Sequence, residues 1–226
     1  MSKIPRSCHP PDLMPDSTPL VLVGAGGLGR EVAALVEALN ERRTTWDLLG
    51  FVDDDPDLHG TAVMGYPVRG DVDWLAHQTD LHFALTIGDG EVRRSIANRL
   101  TSTEVRPATL IHPTVSFHRT VTLGPGAILC NGAAPTVNLQ IGPHTVLDQR
   151  CTVGHDAVLN AFVSVHPGAH ISGSVHLETG VTLGTGAVVL PEVTVGTRAM
   201  VGAGAVVTDD LPPDCTAVGV PARLQS

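Results

Sequence analysis

A six-residue repeat in the second half of the chain is the feature that most restricts its fold. Counting every sixth residue from Ile111 to Val207 gives seventeen positions; sixteen are Ile, Leu, Val or Phe, the other is Pro135, and no insertion breaks the register. An α-helix requires a period of 3.6 residues and an ordinary sheet requires strict alternation. A period of six therefore predicts short strands that are joined by tight corners and coil into a solenoid.

The repeat also predicts which side chains fill the solenoid. The residue four places after each large apolar residue is always Val, Ala, Leu, Thr or Cys, and Cys151 occupies one of these positions. We expect the first and fifth residues of each hexad to point inward. With three hexads per turn and strands about 4.8 Å apart, the rod makes nearly six turns and is roughly 28 Å tall.

The preceding ninety residues follow a different pattern. Apolar runs at 20–23, 48–52 and 83–87 predict strands, and the segments 29–41 and 90–100 predict helices. We therefore divide the chain into a Pro-rich flexible tail (1–18), a small Rossmann-like α/β domain (19–108) and a β-helix domain with a C-terminal cap (109–226).

Composition excludes several kinds of partner. The formal net charge is −9, with 23 acidic and 14 basic residues, which disfavours a nucleic-acid or anionic-membrane surface. No apolar run approaches the roughly 18 residues of a membrane span, and no signal peptide is evident, so we expect a cytoplasmic protein. Four scattered cysteines without a CxxC pair indicate reduced thiols rather than zinc ligands or disulfides.

The α/β domain carries a glycine-rich loop and an acidic strand end. Residues 24–29 read GAGGLG between a predicted strand and helix, a pattern that lets a backbone approach phosphate at a helix N-terminus. Asp53 and Asp54 end the next strand, where open α/β sheets bind ligands. Three interpretations remain open: a sugar-nucleotide site, an NAD site that uses Asp53, or a tight turn without a ligand.

A histidine beside an acid is the catalytic candidate in the repeat region. His155 occupies the third position of its hexad, so it should project outward from the rod, and Asp156 follows it. Imidazole titrates near neutrality and suits the removal of a proton from an attacking amine or hydroxyl. Neighbouring side chains in a regular strand point apart, so the pair requires a corner conformation if Asp156 is to hold the imidazole.

These motifs resemble the hexapeptide-repeat sugar acyltransferases related to the sialic acid O-acetyltransferases and to the UDP-4-amino-sugar N-acetyltransferase of bacillosamine synthesis. The resemblance covers residues 20–224, includes Phe162 and the closing segment GVPAR at 219–223, and implies a left-handed β-helix, whereas the general crossover rule favours the opposite hand. It implies a homotrimer with active sites between subunits, acetyl-CoA as co-substrate and no metal. It implies these roles: catalysis by His155 and Asp156; sugar-nucleotide binding by Gly26, Gly27, Leu28, Asp53, Asp54 and Gly88; and acetyl-CoA binding by Ser164, Gly173, Thr185 and Ala203.

The chain departs from these relatives at two positions. Bacillosamine-type relatives carry His where this chain has Leu28, and relatives often carry His at the position of Ser164. The implied activity is N-acetylation of a nucleotide-linked amino sugar. The alternatives are O-acetylation of a sialic-acid-like sugar and a non-catalytic trimeric scaffold.

A zinc interpretation fits the sequence poorly. Trimeric β-helices also form γ-class carbonic anhydrases, whose last two zinc-binding histidines are separated by four residues. His166 and His170 are separated by three residues, and His112 and His118 by five. We therefore interpret all histidines other than His155 as surface residues.

Overall fold

The computed structural model describes residues 17–225 and contains two units, an α/β unit followed by a parallel β-solenoid. Residues 1–16 of the predicted tail lie outside the described residues, and Thr18 already belongs to the first strand. The elements of the α/β unit are β1 (Thr18–Val23), α1 (Gly27–Arg42), β2 (Trp46–Val52), a 3-10 helix (Pro56–Leu58), β3 (Ala62–Val63), β4 (Tyr66–Pro67), α2 (Val72–Ala76), β5 (His82–Leu85), α3 (Gly90–Leu100) and β6 (Arg106–Pro107).

The α/β unit is a four-stranded parallel sheet with helices on both faces. The strand order is β2-β1-β5-β6, and β3 and β4 form a separate antiparallel pair. Residues 20–23 of β1 are wholly apolar and buried, as expected for a parallel strand that is covered on both faces. Leu20 and Leu22 pack with α1, while Val21 and Val23 pack with α2 and α3. The three strands and two helices that the sequence predicts are present; α2, β6 and the β3–β4 pair were not predicted.

The strands of the solenoid are short. In chain order they are β7 (Leu110–Ile111), β8 (Thr122–Leu123), β9 (Ile128–Leu129), β10 (Ala134–Pro135), β11 (Gln140–Ile141), β12 (Val146–Leu147), β13 (Thr152–Val153), β14 (Val158–Leu159), β15 (Ser164–Val165), β16 (His170–Ile171), β17 (His176–Leu177), β18 (Thr182–Leu183), β19 (Val188–Val189), β20 (Thr194–Val195), β21 (Met200–Val201), β22 (Val206–Val207), β23 (Thr216–Val218) and β24 (Arg223–Leu224). Val146 pairs with Ser164, eighteen residues later, and the same offset recurs along the rod, so each turn contains three hexads as predicted.

The interior of the rod follows the predicted positions. Leu147 and Cys151, the first and fifth residues of one hexad, are fully buried, and equivalent residues form one continuous core. Phe117 is the exception: no strand forms at residues 116–117, and 37% of the surface of Phe117 is exposed. The prediction that Phe117 fills the interior is wrong: its hexad precedes the first complete coil.

Three sheets form the faces of the rod. One contains eight strands, and we call it the docked face because its outward residues Leu110, Ile128 and Val146 pack against α1 in a single apolar cluster. The other two contain five strands each. At the far end, Ala222 joins the rod core and its N–H donates to the Val206 carbonyl (2.7 Å), which closes the solenoid as the C-terminal signature implies.

Three columns of tight turns separate the faces. The open corner lies between the two five-stranded sheets and includes residues 137–138, 155–156 and 173–174. The covered corner, with residues 143–144 and 161–162, lies under α3, and the third corner, with residues 149–150, 185–186 and 203–204, borders the docked face on its other side. At each corner from 126 to 204 the fourth residue of the hexad has a positive φ.

Candidate functional site

The glycine loop joins β1 to α1 at the carboxyl edge of the sheet. A β-carbon on Gly29 would collide with the carbonyl oxygen of Gly24, so the tight turn itself requires glycine there. Gly26 and Gly27 differ, because β-carbons built on them would meet nothing within 4 Å. Gly26 precedes the first turn of α1, and no side chain caps that turn. The loop therefore presents open backbone at a helix N-terminus, a suitable environment for phosphate.

Asp53 and Asp54 point in different directions. The carboxylate of Asp53 accepts hydrogen bonds from the Ala25 amide (2.9 Å) and the Asp55 amide (3.0 Å), which places it beside the glycine loop. Asp54 turns away and accepts from the Val72 amide (3.0 Å) and Arg99 (2.9 Å).

These contacts also set the ionisation of Asp54. Burial alone would raise the pKa of Asp54, but the hydrogen bonds from Val72 and Arg99 outweigh it and lower that pKa below its ordinary value. Asp54 thus helps to join β2 to the two helices on one side of the sheet.

Gly88 lies in the loop that follows β5, the strand adjacent to β1. A β-carbon on Gly24 would come within 3.0 Å of the Thr86 carbonyl oxygen, so the two loops run side by side. Leu28 is half-buried and packs against the apolar cluster between α1 and the docked face. The structure thus brings Gly26, Gly27, Asp53 and the Gly88 loop to one edge of the sheet.

His155 and Asp156 form a hydrogen-bonded pair on the open corner. His155 Nδ1 donates to Asp156 Oδ2 at 2.7 Å, and both side chains are more than half exposed. Asp156 has φ 61°, so the left-handed corner conformation turns its carboxylate back towards the imidazole. The corner that the sequence requires for this pair is therefore present.

Asn138 is a third member of this group, and no sequence motif marks it. Asn138 lies one coil earlier on the open corner, and its Nδ2 donates to Asp156 Oδ1 at 3.0 Å. The hydrogen bonds from His155 and Asn138 lower the pKa of Asp156 below its ordinary value. The eighteen-residue coil repeat could have revealed this neighbour, because Asn138 precedes Asp156 by one full turn.

Gly173 lies directly beside His155. It occupies the same corner one coil later, where a β-carbon would come within 2.6 Å of the imidazole Cε1 and Nε2 atoms. The following amide, of Ser174, donates to the His155 carbonyl at 2.8 Å. The imidazole therefore rests on backbone that carries no side chain.

The other residues assigned to acetyl-CoA lie elsewhere in the chain. Thr185 and Ala203 occupy successive coils of the third corner, where the Gly204 amide donates to the Thr185 carbonyl at 2.9 Å. Ser164 lies on the docked face, is only 2% exposed and contacts Gly88. Their binding roles stay predictions.

The potential metal ligands and the thiols of the described part of the chain also bear on what a site there can do. Among residues 17–225, no group of three or more His, Cys, Asp or Glu side chains is positioned to hold a metal ion. Burial raises the pKa of Cys151 to about 12 and raises that of Cys130 further, so both stay protonated. Cys8 lies outside the described residues.

None of the helices within residues 17–225 has the length and apolar character needed to cross a membrane.

A solenoid of hexads that displays a His–Asp pair on one corner, together with a glycine-loop α/β unit, defines a hexapeptide-repeat acyltransferase. The sequence matches the family described as the PglD N-terminal domain over residues 19–100. It is 30% identical over 170 residues to the GDP-perosamine N-acetyltransferase of Escherichia coli O157:H7, covering 74% of this chain and 76% of that protein. The chain belongs to the hexapeptide-repeat acetyltransferase family whose members carry the PglD N-terminal domain.

Two solved structures extend the similarity to almost the whole fold. The acetyltransferase domain of PglB from Neisseria gonorrhoeae FA1090, in complex with acetyl coenzyme A, is 31% identical with a TM-score of 0.85, covering 92% of this chain and 100% of that one. PerB from Caulobacter crescentus, in complex with CoA and GDP-perosamine, is 31% identical with a TM-score of 0.83, covering 92% and 97%.

Proposed function

We propose that this acetyltransferase transfers the acetyl group of acetyl-CoA to the amino group of a nucleotide-linked amino sugar, with His155 as general base. The observation that carries the proposal is the exposed His155–Asp156 pair on a corner of the rod. The relatives named above support the substrate class, because one acts on GDP-perosamine and solved structures contain CoA, acetyl-CoA and GDP-perosamine.

The geometry of the pair suits this reaction. Asp156 accepts the hydrogen bond from Nδ1, which holds the tautomer that leaves Nε2 free to accept a proton. The sugar amine attacks the thioester carbonyl, Nε2 takes the proton that the nitrogen loses, and collapse of the tetrahedral intermediate expels the CoA thiolate. Backbone N–H groups can stabilise the oxyanion, a contribution of about 3 kcal/mol where it has been tested.

Within one subunit, the base and the proposed sugar-binding loops lie on different sides of the rod. His155 lies on the open corner, between the two five-stranded faces, whereas the α/β unit covers the remaining face. The glycine loop, Asp53 and Gly88 therefore lie on the opposite side of the rod from His155. We propose a homotrimer in which the α/β unit of one subunit presents the sugar to His155 of its neighbour, and closed symmetry completes three equivalent sites.

The first test is thiol release from acetyl-CoA across UDP-, dTDP- and GDP-linked amino sugars. The H155A variant should keep the oligomeric state yet lose roughly 100-fold or more in rate. Mass spectrometry of the products separates amide from ester formation. Unchanged thiol release in H155A would rule out His155 as the base, and ester products would favour a sugar O-acetyltransferase.

A second test addresses the placement of the site between subunits. Gly27→Trp fills the open space beside the glycine loop, where the fold has room for a side chain. Neither H155A nor Gly27→Trp should be active alone. When equal amounts of the two are unfolded and refolded together, one interface in each mixed trimer combines an intact base with an intact loop, so a mixed trimer should have about a third of wild-type activity and the whole mixture about a quarter. No recovery in verified mixed trimers would place the whole site within one chain.

A further inference from the structure

A fully buried arginine joins the two units of the chain. Arg93, on α3, has no accessible surface, yet within residues 17–225 no carboxylate forms an ion pair with it. Its guanidinium donates instead to backbone carbonyls of the rod, those of His144 (3.0 Å), Phe162 (3.0 Å) and Val163 (3.0 Å). It also donates to the carbonyls of Ile87 (2.7 Å) and Gly88 (2.9 Å).

Ser164 completes this contact from the rod. Its hydroxyl donates to the Gly88 carbonyl at 2.7 Å and accepts from Arg93 Nη2 at 3.0 Å. The Gly88 carbonyl thus receives one hydrogen bond from each unit. The hydroxyl has used its single proton and one acceptor position inside the protein, and Ser164 is only 2% exposed.

We propose that Ser164 and Arg93 together form a clamp that positions the Gly88 loop for the nucleotide sugar, so that Ser164 acts on the sugar half of the reaction rather than by contacting acetyl-CoA. This inference rests on the proposed function, because the sugar role of Gly88 belongs to it. The clamp fixes the loop relative to the rod, and the rod is the element that carries His155. Ser164 and Arg93 are positioning residues, since they act through Gly88.

The S164A substitution can loosen the clamp without breaking the fold. Arg93 Nη2 has two protons and three acceptors, so loss of the hydroxyl still leaves it two carbonyl partners. The Gly88 carbonyl keeps Arg93 but loses its shorter hydrogen bond. The expected defect is therefore confined to the loop.

The experiment measures both substrates in the S164A enzyme. We expect the KM for the nucleotide sugar, with GDP-perosamine as the probe, to rise about tenfold, consistent with the loss of one buried hydrogen bond. The kcat and the acetyl-CoA affinity measured by calorimetry should stay within twofold of wild type. S164C, which retains a weaker donor, should give an intermediate KM. Ser102→Ala, at an exposed position after α3, is the matched control and should match wild type.

Hydrogen exchange separates this inference from the proposed function. The amides of residues 86–90 should exchange faster in S164A whichever sugar the enzyme uses. Weaker acetyl-CoA binding with unchanged exchange at 86–90 would overturn the clamp, and so would a variant identical to wild type in both measurements. Faster exchange in an enzyme that acetylates no nucleotide sugar would support the clamp as a structural device and reject the sugar substrate.

Discussion

The imidazole of His155 rests against the backbone of Gly173, one coil further along the rod, and this contact leaves no space for a side chain. A β-carbon at residue 173 would lie within 2.6 Å of two ring atoms, whereas real β-carbons essentially never approach within 3.0 Å of another heavy atom. The repeat itself does not require glycine there, because equivalent corner positions hold Val137 and Pro191. Gly173 therefore allows the ring to lie along the corner in the position fixed by Asp156.

Gly173→Ala should consequently impair catalysis more than stability. The methyl group would displace the imidazole from its hydrogen bond with Asp156, and we expect kcat to fall about 10- to 100-fold, since small displacements of a catalytic group are costly. The melting temperature should change little. Gly202→Ala is the matched control, because its methyl group would meet a movable Val218 side chain rather than His155. Equal activity of the two variants would contradict a steric role for Gly173.

Asn138 offers a second way to perturb the pair. Asn138→Gly removes the hydrogen bond to Asp156 and introduces glycine, which tolerates the φ of 55° at this position. Hydrogen bonds to the ionised carboxylate lower the pKa of Asp156, so losing one should raise that pKa and move the acidic decline of kcat/KM to higher pH. We expect kcat at neutral pH to fall about three- to tenfold. A pH–rate profile identical to that of wild type would show that Asn138 has no role, and Asn98→Ala, on the exposed side of α3, is the control.

The sequence period predicted the rod well because burial inside a solenoid depends on position in the hexad alone. Leu147 and Cys151 lie inside, and His155 lies outside, for that reason. Phe117 has the same period but is exposed, because burial also requires neighbouring coils and no strand forms at residues 116–117. Periodicity reports which side chain faces inward, and the ends of the array decide whether that side chain is covered.

Contacts between the two units were beyond sequence reasoning. Arg93 lies in the predicted helix 90–100, and its partners on the rod are 51 to 71 residues away in the sequence. Ser164 was assigned by resemblance, although the packing of α3 against the covered corner determines its surroundings. No local pattern encodes such contacts, because they depend on how the α/β unit docks onto the solenoid.

The two neighbouring acids at the end of β2 should give different phenotypes. Asp53→Ala removes the carboxylate that holds the Ala25 amide, so the glycine loop should loosen and the KM for the nucleotide sugar should rise about tenfold with little loss of stability. Asp54→Ala breaks the contacts with Val72 and Arg99, so the free energy of unfolding should fall by about 1 kcal/mol while that KM stays near wild type. Steady-state kinetics measures the KM of both variants, and urea denaturation measures their free energy of unfolding. A raised KM in Asp54→Ala alone would show that Asp54, and not Asp53, supports binding of the nucleotide sugar.

A buried histidine should make the docking of the two units sensitive to acid. The interpretation of His144 as a surface residue is wrong: it lies buried on the covered corner, where α3 covers it, with its ring stacked between Phe83 and Phe162 at centroid distances of 6.2 Å and 5.3 Å. Its Nδ1 is buried without a hydrogen-bond partner. Burial, with a further contribution from the Arg93 charge, lowers the pKa of His144 from 6.5 to about 4, so the folded protein holds the neutral imidazole.

Stability should therefore depend on pH in a defined window. The unfolded chain binds a proton at His144 below about pH 6.5 and the folded chain only near 4, so the stabilisation is complete above 6.5 and is lost as the pH falls towards 4. The free energy of unfolding should decrease across this window by at most about 3 kcal/mol. His144→Phe keeps the aromatic stack and should remove most of the slope, leaving a smaller part from His82 and His112, whose pKa values burial also lowers. Urea titrations at pH 7.5, 6 and 5 measure how the free energy of unfolding depends on pH. His77→Gln, at an exposed position, is the control and should keep the wild-type dependence. An unchanged dependence in His144→Phe would assign the acid sensitivity to other groups.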